Sequence, residues 1–470
     1  MPFPSNPMTG LSRFLFILPV SLFSLATLAG GEEAKPELDG FHAKMALEFG
    51  HLWSGENRGT NSSRTVSTNL DLVPLNRNIV TLTYQSQSRE NWNYFAGFKG
   101  ILWWPFSTEI GEPGSRTVRV EPHLSILKAQ WEFGSGLEAS FIEFGFIPYK
   151  YNRDARNLGE YLYRSGTYPG DIVTTDGYQF MDHAFYDAYG IHARFNTLDG
   201  LVTHDLNLFT EAVIEPIGDI TPAYELGLKA SRFELGAGAA YNRGIAYRPS
   251  KSRPVDEDNL YIEVKADPAK GYAYYKGPFM GAPSEVREDP SKPYAVLHRW
   301  TQRGIKLMAR AAIDLGDLLP EDLGSTDDLR IYGELAVLGL ENQPYYYESL
   351  LQRMPIMVGI NLPTFKLLNM FSVQAEYYDG KFNNVSQSDR SSVPIWTVAN
   401  YSTRDLDTYK PSKWRWSLYG KKSLNPLLNV NFQVASDHLR LRNALSTRSD
   451  YALTPNPSSW YYLLKLEMGI

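Results

Sequence analysis

Few side chains in this 470-residue chain have a type and spacing that fit catalysis. No HExxH, GxSxG, phosphate-binding loop or dinucleotide fingerprint occurs. Acid–histidine pairs stand at Asp182–His183 and Asp437–His438, but no serine is placed convincingly beside either pair. The histidines that we considered as metal ligands show no metal-binding spacing, and they are His42, His51 and His123. We therefore predict that the protein is not an enzyme and needs no cofactor or metal.

The densest mixture of charged and tyrosine side chains lies in one long connection, residues 148–184. If this loop folds into a pore, it narrows the passage and places charges at the constriction, and pore selectivity depends on both. We expect a short helix in DARNLGEYLYRSG, ending at Gly166. The alternative, a loop lying over the outer mouth, fits the composition equally well. The predicted constriction residues are Lys150, Arg153, Arg156, Glu160, Arg164, Tyr161 and Tyr163.

Most of the remaining chain consists of segments in which apolar and polar residues alternate. In FSVQAEYY, for example, apolar residues alternate with Ser372, Gln374 and Glu376. Such alternation predicts β-strands with one apolar and one polar face. The predicted strands lie near 41–50, 77–87, 95–104, 117–133, 136–147, 185–196, 202–214, 222–229, 232–241, 300–314, 328–339, 353–362, 370–379, 413–421, 427–436 and 460–470. The count is about sixteen, within a range of roughly 14 to 18.

The polar strand faces carry charges of both signs. A soluble barrel would have an apolar core at these positions, so we predict a wet or densely salt-bridged interior. For any single residue, a purely structural ion pair across neighbouring strands remains the alternative. The residues that we predict to line the interior are Lys44, Glu48, His192, Arg194, Glu211, Lys229, Lys306, Arg310, Glu334, Glu376, Arg415 and Lys421.

The N-terminal segment predicts export. Phe14 to Ala29 form an apolar stretch without an acid, and Thr27 and Ala29 occupy the small-residue positions of a cleavage site. We predict a cleaved signal peptide over 1–29, with a membrane anchor as the alternative, and a short periplasmic segment over 30–40. The absence of cysteine excludes a disulfide scaffold and thiol chemistry. The net charge of −6, without a basic stripe, argues against nucleic acid as a partner.

The connections between strands alternate in length. Counted along the chain, odd-numbered connections run from about 7 to about 58 residues and even-numbered ones from about 2 to about 13. Such alternation is typical of outer-membrane barrels, with short periplasmic turns and long extracellular loops. We predict one barrel domain over 41–470 with long loops near 148–184, 242–299 and 380–412. The piece LYIEV within 242–299 is expected to extend a hairpin.

In these features, the chain resembles the porin-like outer-membrane β-barrels of Gram-negative bacteria. The alternating last segment, WYYLLKLEMGI, resembles their C-terminal assembly signal, although it ends on Ile470 where such signals usually end on Phe or Trp. The predicted fold is therefore an all-β, transmembrane, antiparallel up-and-down barrel in the bacterial outer membrane. The resemblance implies contact with membrane lipid and with the barrel-assembly machinery, and it leaves a homotrimer open.

The resemblance also implies passive diffusion of small hydrophilic solutes, with selectivity set by the charged lumen and the infolded loop. Two alternatives fit the same sequence. The first is a plugged structural or adhesive barrel whose loops bind a surface or a partner. The second is a secreted soluble β protein that binds polysaccharide, in which the apolar strand faces would form an internal core. A barrel enzyme that uses an Asp–His pair is a lesser alternative.

Overall fold

The computed structural model describes the strands, the short turns and parts of the longer connections. The described residues are 40–53, 55–61, 64–70, 73–74, 77–87, 91–103, 119–163, 186–210, 218–247, 260–264, 273–276, 295–299, 304–320, 328–340, 350–379, 413–436 and 460–469. The predicted signal peptide, almost all of the predicted periplasmic segment and the loop 380–412 lie outside them. So do Arg164, Gly166, Glu211 and both Asp–His pairs.

Sixteen antiparallel strands form one closed sheet. The sheet has one further short piece, Val73–Pro74, which pairs with the first strand. The strands are β1 Gly40–Trp53, β2 Arg77–Gln87, β3 Trp92–Trp103, β4 Arg119–Phe133, β5 Ser140–Tyr149, β6 Tyr186–Thr197, β7 Val202–Thr210, β8 Ile220–Ala230, β9 Phe233–Asn242, β10 Gly304–Asp314, β11 Arg330–Leu338, β12 Ile356–Asn361, β13 Met370–Tyr377, β14 Trp414–Asn425, β15 Leu428–Ser436 and β16 Trp460–Gly469. The predicted fold class is confirmed, and each predicted segment corresponds to one of these strands.

The barrel closes where β1 pairs with β16. The register runs from Lys44 opposite Gly469 to Trp53 opposite Trp460. Every other strand pairs with its neighbours in sequence, so each strand has a hydrogen-bonded neighbour on both sides. A closed sheet has no free edge, which is what a membrane-spanning sheet requires. Among the described residues, no helix is long and apolar enough to cross a membrane.

The apolar faces of the strands point outward. Phe41, Phe98 and Leu127 are each more than half exposed on this surface. The alternate positions point inward and include buried charges such as Lys306 and Glu376. This is the reverse of a soluble β protein with an apolar core, so the polysaccharide-binding alternative, as far as it depends on such a core, is wrong.

The two rims differ as predicted. On one rim, which we call the short-turn rim, strands are joined by tight turns such as Leu198–Asp199–Gly200, where all three residues have positive φ. The other rim, the long-loop rim, carries the long connections. Two of these contain strands of their own. Gly55–Asn61 pairs with Arg64–Leu70, and Leu260–Val264 lies between Ala273–Lys276 and Ala295–Arg299 in a three-stranded sheet.

Candidate functional site in the barrel lumen

The connection that follows β5 turns into the barrel. Except for Arg153, which is exposed, every residue from Tyr151 to Tyr163 is buried. We call this stretch, together with Lys150, the infolded segment. At its foot, Gly145 on β5 lies opposite Gly190 on β6, with φ values of +130° and +152°. A Cβ atom at Gly145 would lie 2.1 Å from the Leu127 carbonyl oxygen, so the wall at this bend excludes side chains at this position.

The predicted helix in this segment is wrong for its described part. Residues 154–163 form turns and bends without a helix. Gly159 and Glu160 both adopt positive φ, +92° and +59°, which interrupts a right-handed helix. The polar groups are paired with the barrel wall instead of with one another along a helix axis.

Glu334, on the inward face of β11, is the principal anchor of the infolded segment. The Tyr151 hydroxyl donates a hydrogen bond to Glu334 Oε1 at 2.5 Å, and the Tyr161 backbone N–H donates to the same oxygen at 2.9 Å. Asn152 Nδ2 and the Glu160 N–H donate to Glu334 Oε2 at 2.6 and 3.1 Å. One buried carboxylate therefore holds both ends of the segment with four donors.

A buried ion pair provides a second anchor. Arg330 on β11 donates two hydrogen bonds to the Asp154 carboxylate, at 2.6 and 2.8 Å. It donates a third to Glu234 on β9, at 2.7 Å. The Arg330 and Asp154 side chains are only 1% and 3% exposed, so this bidentate pair is shielded from water.

The tip of the segment reaches the opposite wall. Gln374 on β13 accepts hydrogen bonds from the backbone N–H groups of Asn157 and Leu158, at 3.2 and 3.3 Å. The Asn157 side-chain amide donates to Ser417 on β14 and Tyr461 on β16, both at 3.1 Å. The infolded segment therefore spans the lumen from β5 to β16.

Two further carboxylates bind tyrosines of the segment. Tyr161 donates to Glu376 at 2.8 Å, and Arg415 donates to the other oxygen of Glu376 at 2.7 Å. On the near wall, Tyr163 donates to Glu225 at 2.7 Å, and Tyr149, the last residue of β5, donates to Glu225 at 3.0 Å. A tyrosine ring packs as a large apolar group, while its hydroxyl donates a hydrogen bond to a buried carboxylate.

A chain of alternating charges follows the wall beside the segment. Lys128 pairs with Glu143 at 2.5 Å, and His192 lies between Glu143 and Asp205 with 2.8 Å on each side. Asp205 also accepts two hydrogen bonds from Arg194, at 2.7 and 3.0 Å. If both carboxylates are ionised, each can only accept, so both ring nitrogens of His192 must donate. The imidazole is then positively charged.

Glu160 lies close to a second carboxyl group, that of Glu334, whose Oε2 accepts the Glu160 backbone N–H. Asn152 N–H donates to Glu160 Oε1, and Glu160 Oε2 has no hydrogen-bond partner. Burial, and then the charge of Glu334, hold the pKa of the Glu160 carboxyl well above its usual range. Burial and Glu334 likewise raise the pKa of Tyr151. Of the two neighbouring carboxyl groups, Glu160 is the one whose neutral form is favoured by burial and by the other's charge.

Towards the short-turn rim the lumen is open. A cavity of about 400 Å³ lies below the infolded segment, against the inward faces of β6 to β10. Charged side chains of its lining are partly exposed, for example Arg153 at 53% and Lys229 at 64%. The inward side chains nearer the long-loop rim, such as Lys306 and Arg415, are buried.

The predicted lumen residues fall into three groups. His192, Lys306, Glu334, Glu376 and Arg415 point inward and are buried, as does Glu48. Lys44, Arg194, Lys229, Arg310 and Lys421 point inward and are partly exposed or exposed. Glu211 lies outside the described residues. The structure thus brings Glu334, Glu376 and Arg415 together with the infolded segment and leaves Arg310 and Arg194 at the cavity.

The predicted constriction residues are also divided. Tyr161, Tyr163 and Glu160 are buried at the contacts given above, and Arg156 lies with its guanidinium carbon 6.0 Å from the Tyr419 ring centre. Arg153 turns toward the cavity and pairs with Glu234 at 2.9 Å. Lys150 lines the same cavity. Arg164 is not among the described residues.

Several residues of the segment and of the wall around it were not among the predicted site residues. The omitted residues are Tyr151, Asp154, Asn157, Asp205, Glu225, Glu234, Arg330, Gln374, Ser417 and Tyr461. A signal existed for the wall residues, since Arg330 and Gln374 share the polar face of their strands with Glu334 and Glu376. No group of three or more His, Asp or Glu that could hold a metal occurs in the described part of the chain.

No protein-family model matches the chain, and no curated protein matches it in sequence. Solved structures of bacterial porins match its backbone. One is a mutant of the Rh. blastica porin, at 10% identity and a TM-score of 0.40, covering 92% of this chain and 99% of that chain. Another is Salmonella typhi OmpF in complex with daunomycin, at 10% identity and a TM-score of 0.46, covering 93% and 100%.

The fold is that of a porin-like barrel. Sixteen antiparallel strands pair in sequence, and the sheet closes between β1 and β16. The predicted resemblance is confirmed at the level of the fold.

Proposed function

We propose that the protein is an outer-membrane channel through which small hydrophilic solutes diffuse passively. The observation that carries this proposal is the reversed polarity of the barrel, with apolar side chains outside and charged ones inside. A sheet of this kind is stable in a lipid bilayer, because its outer face replaces water with lipid and its backbone groups are paired. The bacterial outer membrane is the location that fits such a barrel.

Selectivity is set, in this proposal, by the infolded segment and by the charges that face it. Since the segment occupies the lumen from β5 across to β16, solutes pass it along the remaining charged wall. That wall carries charges of both signs, including Lys44 paired with Glu467 at 2.7 Å. The width beside the segment and these charges then decide what passes. Lipid, the assembly machinery and a homotrimer are the partners that this proposal entails or allows.

Solute uptake into liposomes tests the proposal. Vesicles containing the refolded protein should swell in isotonic solutions of small sugars, and the swelling rate should fall steeply with increasing sugar size. Vesicles without protein provide the baseline. The variant Leu464→Lys places a charge on the outward face and should insert poorly. Vesicles prepared with it should therefore not swell, which controls for leakage caused by protein that has not inserted. Absence of swelling from correctly inserted wild-type protein would contradict the proposal.

A plugged structural barrel is the second candidate, and the burial of the infolded segment favours it. Segment residues such as Ala155, Leu158 and Tyr161 are fully buried, as in a protein core. A barrel of this kind would insert and fold but would admit no sugar. Its long loops would then carry the function, by binding a surface or a partner protein.

A further inference from the structure

We propose that the cavity below the infolded segment is a binding site for small anions, of the carboxylate or phosphate class, with Arg310 as its main ligand. The inference deepens the proposed function, on which it rests, by naming the class of solute that pauses in the lumen. It depends on three observations: the position of Arg310, the pairing of the acids around it, and the access of the cavity to solvent.

The Arg310 side chain lies over two glycines, which leave room for it because they have no side chains. Its register partner on β9 is Gly236, whose partner on β8 is Gly227. A Cβ atom at Gly236 would lie 2.6 Å from Arg310 Nε, and one at Gly227 would lie 3.7 Å from Arg310 Nη2. The guanidinium therefore extends over both glycines toward Thr203 on β7, and any larger residue at Gly236 would displace it.

Arg310 makes no ion pair or hydrogen bond among the residues that the structure describes. The neighbouring arginines are occupied: Arg194 binds Asp205 at 2.7 Å, and Arg330 binds Asp154 and Glu234. A guanidinium has five N–H donors in a planar fork that fits a carboxylate or a phosphate with two parallel bonds. In Arg310 this fork is free within a cavity.

The acids of the cavity are already engaged. Asp205 accepts from His192 and Arg194, and Glu225 accepts from two tyrosines and Asn207. Glu234 pairs with Arg330 at 2.7 Å and with Arg153 at 2.9 Å. Against these three carboxylates the lining carries five cations, which are Lys150, Arg153, Arg194, Lys229 and Arg310. The cavity lining therefore has an excess of positive charge, and Arg310 makes no ion pair with an acid among the described residues.

The cavity is accessible and large enough for such a solute. Its volume of about 400 Å³ is more than ten times the roughly 30 Å³ that a water molecule occupies in the liquid. Lys229, which lines it, is 64% exposed, so an anion can enter from the short-turn rim.

Inorganic phosphate is the probe for this site. Channel current is measured in a planar bilayer in potassium chloride while phosphate is added on both sides at constant ionic strength. We expect phosphate to reduce the chloride current of the wild type. In Arg310→Gln, the half-blocking phosphate concentration should rise roughly tenfold or more, because a charge-assisted hydrogen-bond pair is lost.

Lys99→Gln is the matched control. Lys99 also points inward and also lacks a partner among the described residues, but it lies on β3, outside the cavity. The half-blocking concentration in Lys99→Gln should equal that of the wild type. An equal rise in both variants would show a general effect of lumen charge, and block that is unchanged in Arg310→Gln would show that Arg310 binds no phosphate. Either result overturns the inference.

A second readout does not need an open channel. Isothermal titration of phosphate into the detergent-solubilised barrel should give heat of binding in the wild type and in Lys99→Gln, but not in Arg310→Gln. If the bilayer is silent and this titration still distinguishes the variants, the anion site stands and the channel proposal fails. If the channel conducts and the wild type binds no phosphate, the channel proposal stands and the anion site is overturned.

Discussion

At the scale of single residues, the lumen of this barrel is stabilised by buried acids that each accept several hydrogen bonds. Isolated charges are costly to bury, and they persist only when paired and hydrogen-bonded. Glu334 and Asp154 meet that condition through contacts between the wall and the infolded segment. Loss of Glu334 would leave four buried donors unpaired, and loss of Arg330 would leave the buried Asp154 charge uncompensated.

Replacing Arg330 with Gln should destabilise the barrel by about 3–5 kcal/mol, because Asp154 then remains buried without its cation. Unfolding by guanidinium in detergent measures this change. Arg232→Gln is the control, since Arg232 pairs with Asp317 at the surface, where such a pair contributes under about 1 kcal/mol. The double variant Arg330→Gln with Asp154→Asn should recover part of the loss. Equal small effects of Arg330→Gln and Arg232→Gln would contradict the account of the anchor.

The carboxyl of Glu160 gives the infolded segment a pH dependence. Its folded pKa is raised, by burial and then by Glu334, so docking of the segment favours the neutral form. That stabilisation is complete below the ordinary glutamate pKa and is lost as the pH rises through the raised one. Thermal stability of the wild type should thus decline as the pH rises above the ordinary glutamate pKa.

Glu160→Gln carries no charge at any pH, so its thermal stability should decline less over the same range. Glu138→Gln, at an exposed turn, should follow the wild-type curve. Stability of Glu160→Gln that falls as steeply as that of the wild type would show that Glu160 does not govern docking.

At the scale of elements, the alternating apolar and polar residues of each strand point to opposite faces of the barrel wall. Leu464 on β16 points outward and is 40% exposed, while Thr83 on β2 points inward. A charge on the lipid side of such a barrel costs about 2–4 kcal/mol near the middle of the bilayer, whereas one in the lumen is tolerated. Leu464→Lys should therefore lower the folded yield, measured as heat-modifiable migration on a gel, and Thr83→Lys should not. Equal yields would place the outward face away from lipid.

The strands could be predicted from the sequence because apolar and polar residues alternate along each one. This alternation is a local signal, and closing the sheet into a barrel does not change it. The connections could not be predicted in this way. Gly55–Asn61 and Arg64–Leu70 pair with each other within a connection for which we predicted no strand, since Gly55, Gly59 and several polar residues hide the alternation. The infolded segment reads locally as a helix, and its actual path depends on Glu334, Gln374 and Tyr461, which follow about two to three hundred residues later. Such long-range pairings leave no local pattern.

The residues of the site were predicted in part for the same reason. Glu334, Glu376 and Arg415 were predicted to face the lumen, because the alternation of their strands places them on the polar face. Asp154 and Asn157 were not predicted, because a loop lacks the alternation that assigns the residues of a strand to one face. Their partners Arg330 and Ser417 also lie far along the chain.

At the scale of the whole molecule, the barrel combines a filled part of the lumen with an open one. The infolded segment and the buried wall residues occupy the lumen towards the long-loop rim, whereas a charged cavity opens towards the short-turn rim. A channel needs a continuous aqueous path beside the segment, and a plugged barrel lacks one. Function therefore depends on whether ions can pass Tyr151–Tyr163.

Single-channel conductance in a planar bilayer tests this point most directly. The protein is refolded in detergent, and its folded state is verified by heat-modifiable migration on a gel. We expect discrete current steps of a stable size when such protein is added. A silent bilayer with protein that is demonstrably folded and inserted would contradict the channel and leave a plugged barrel.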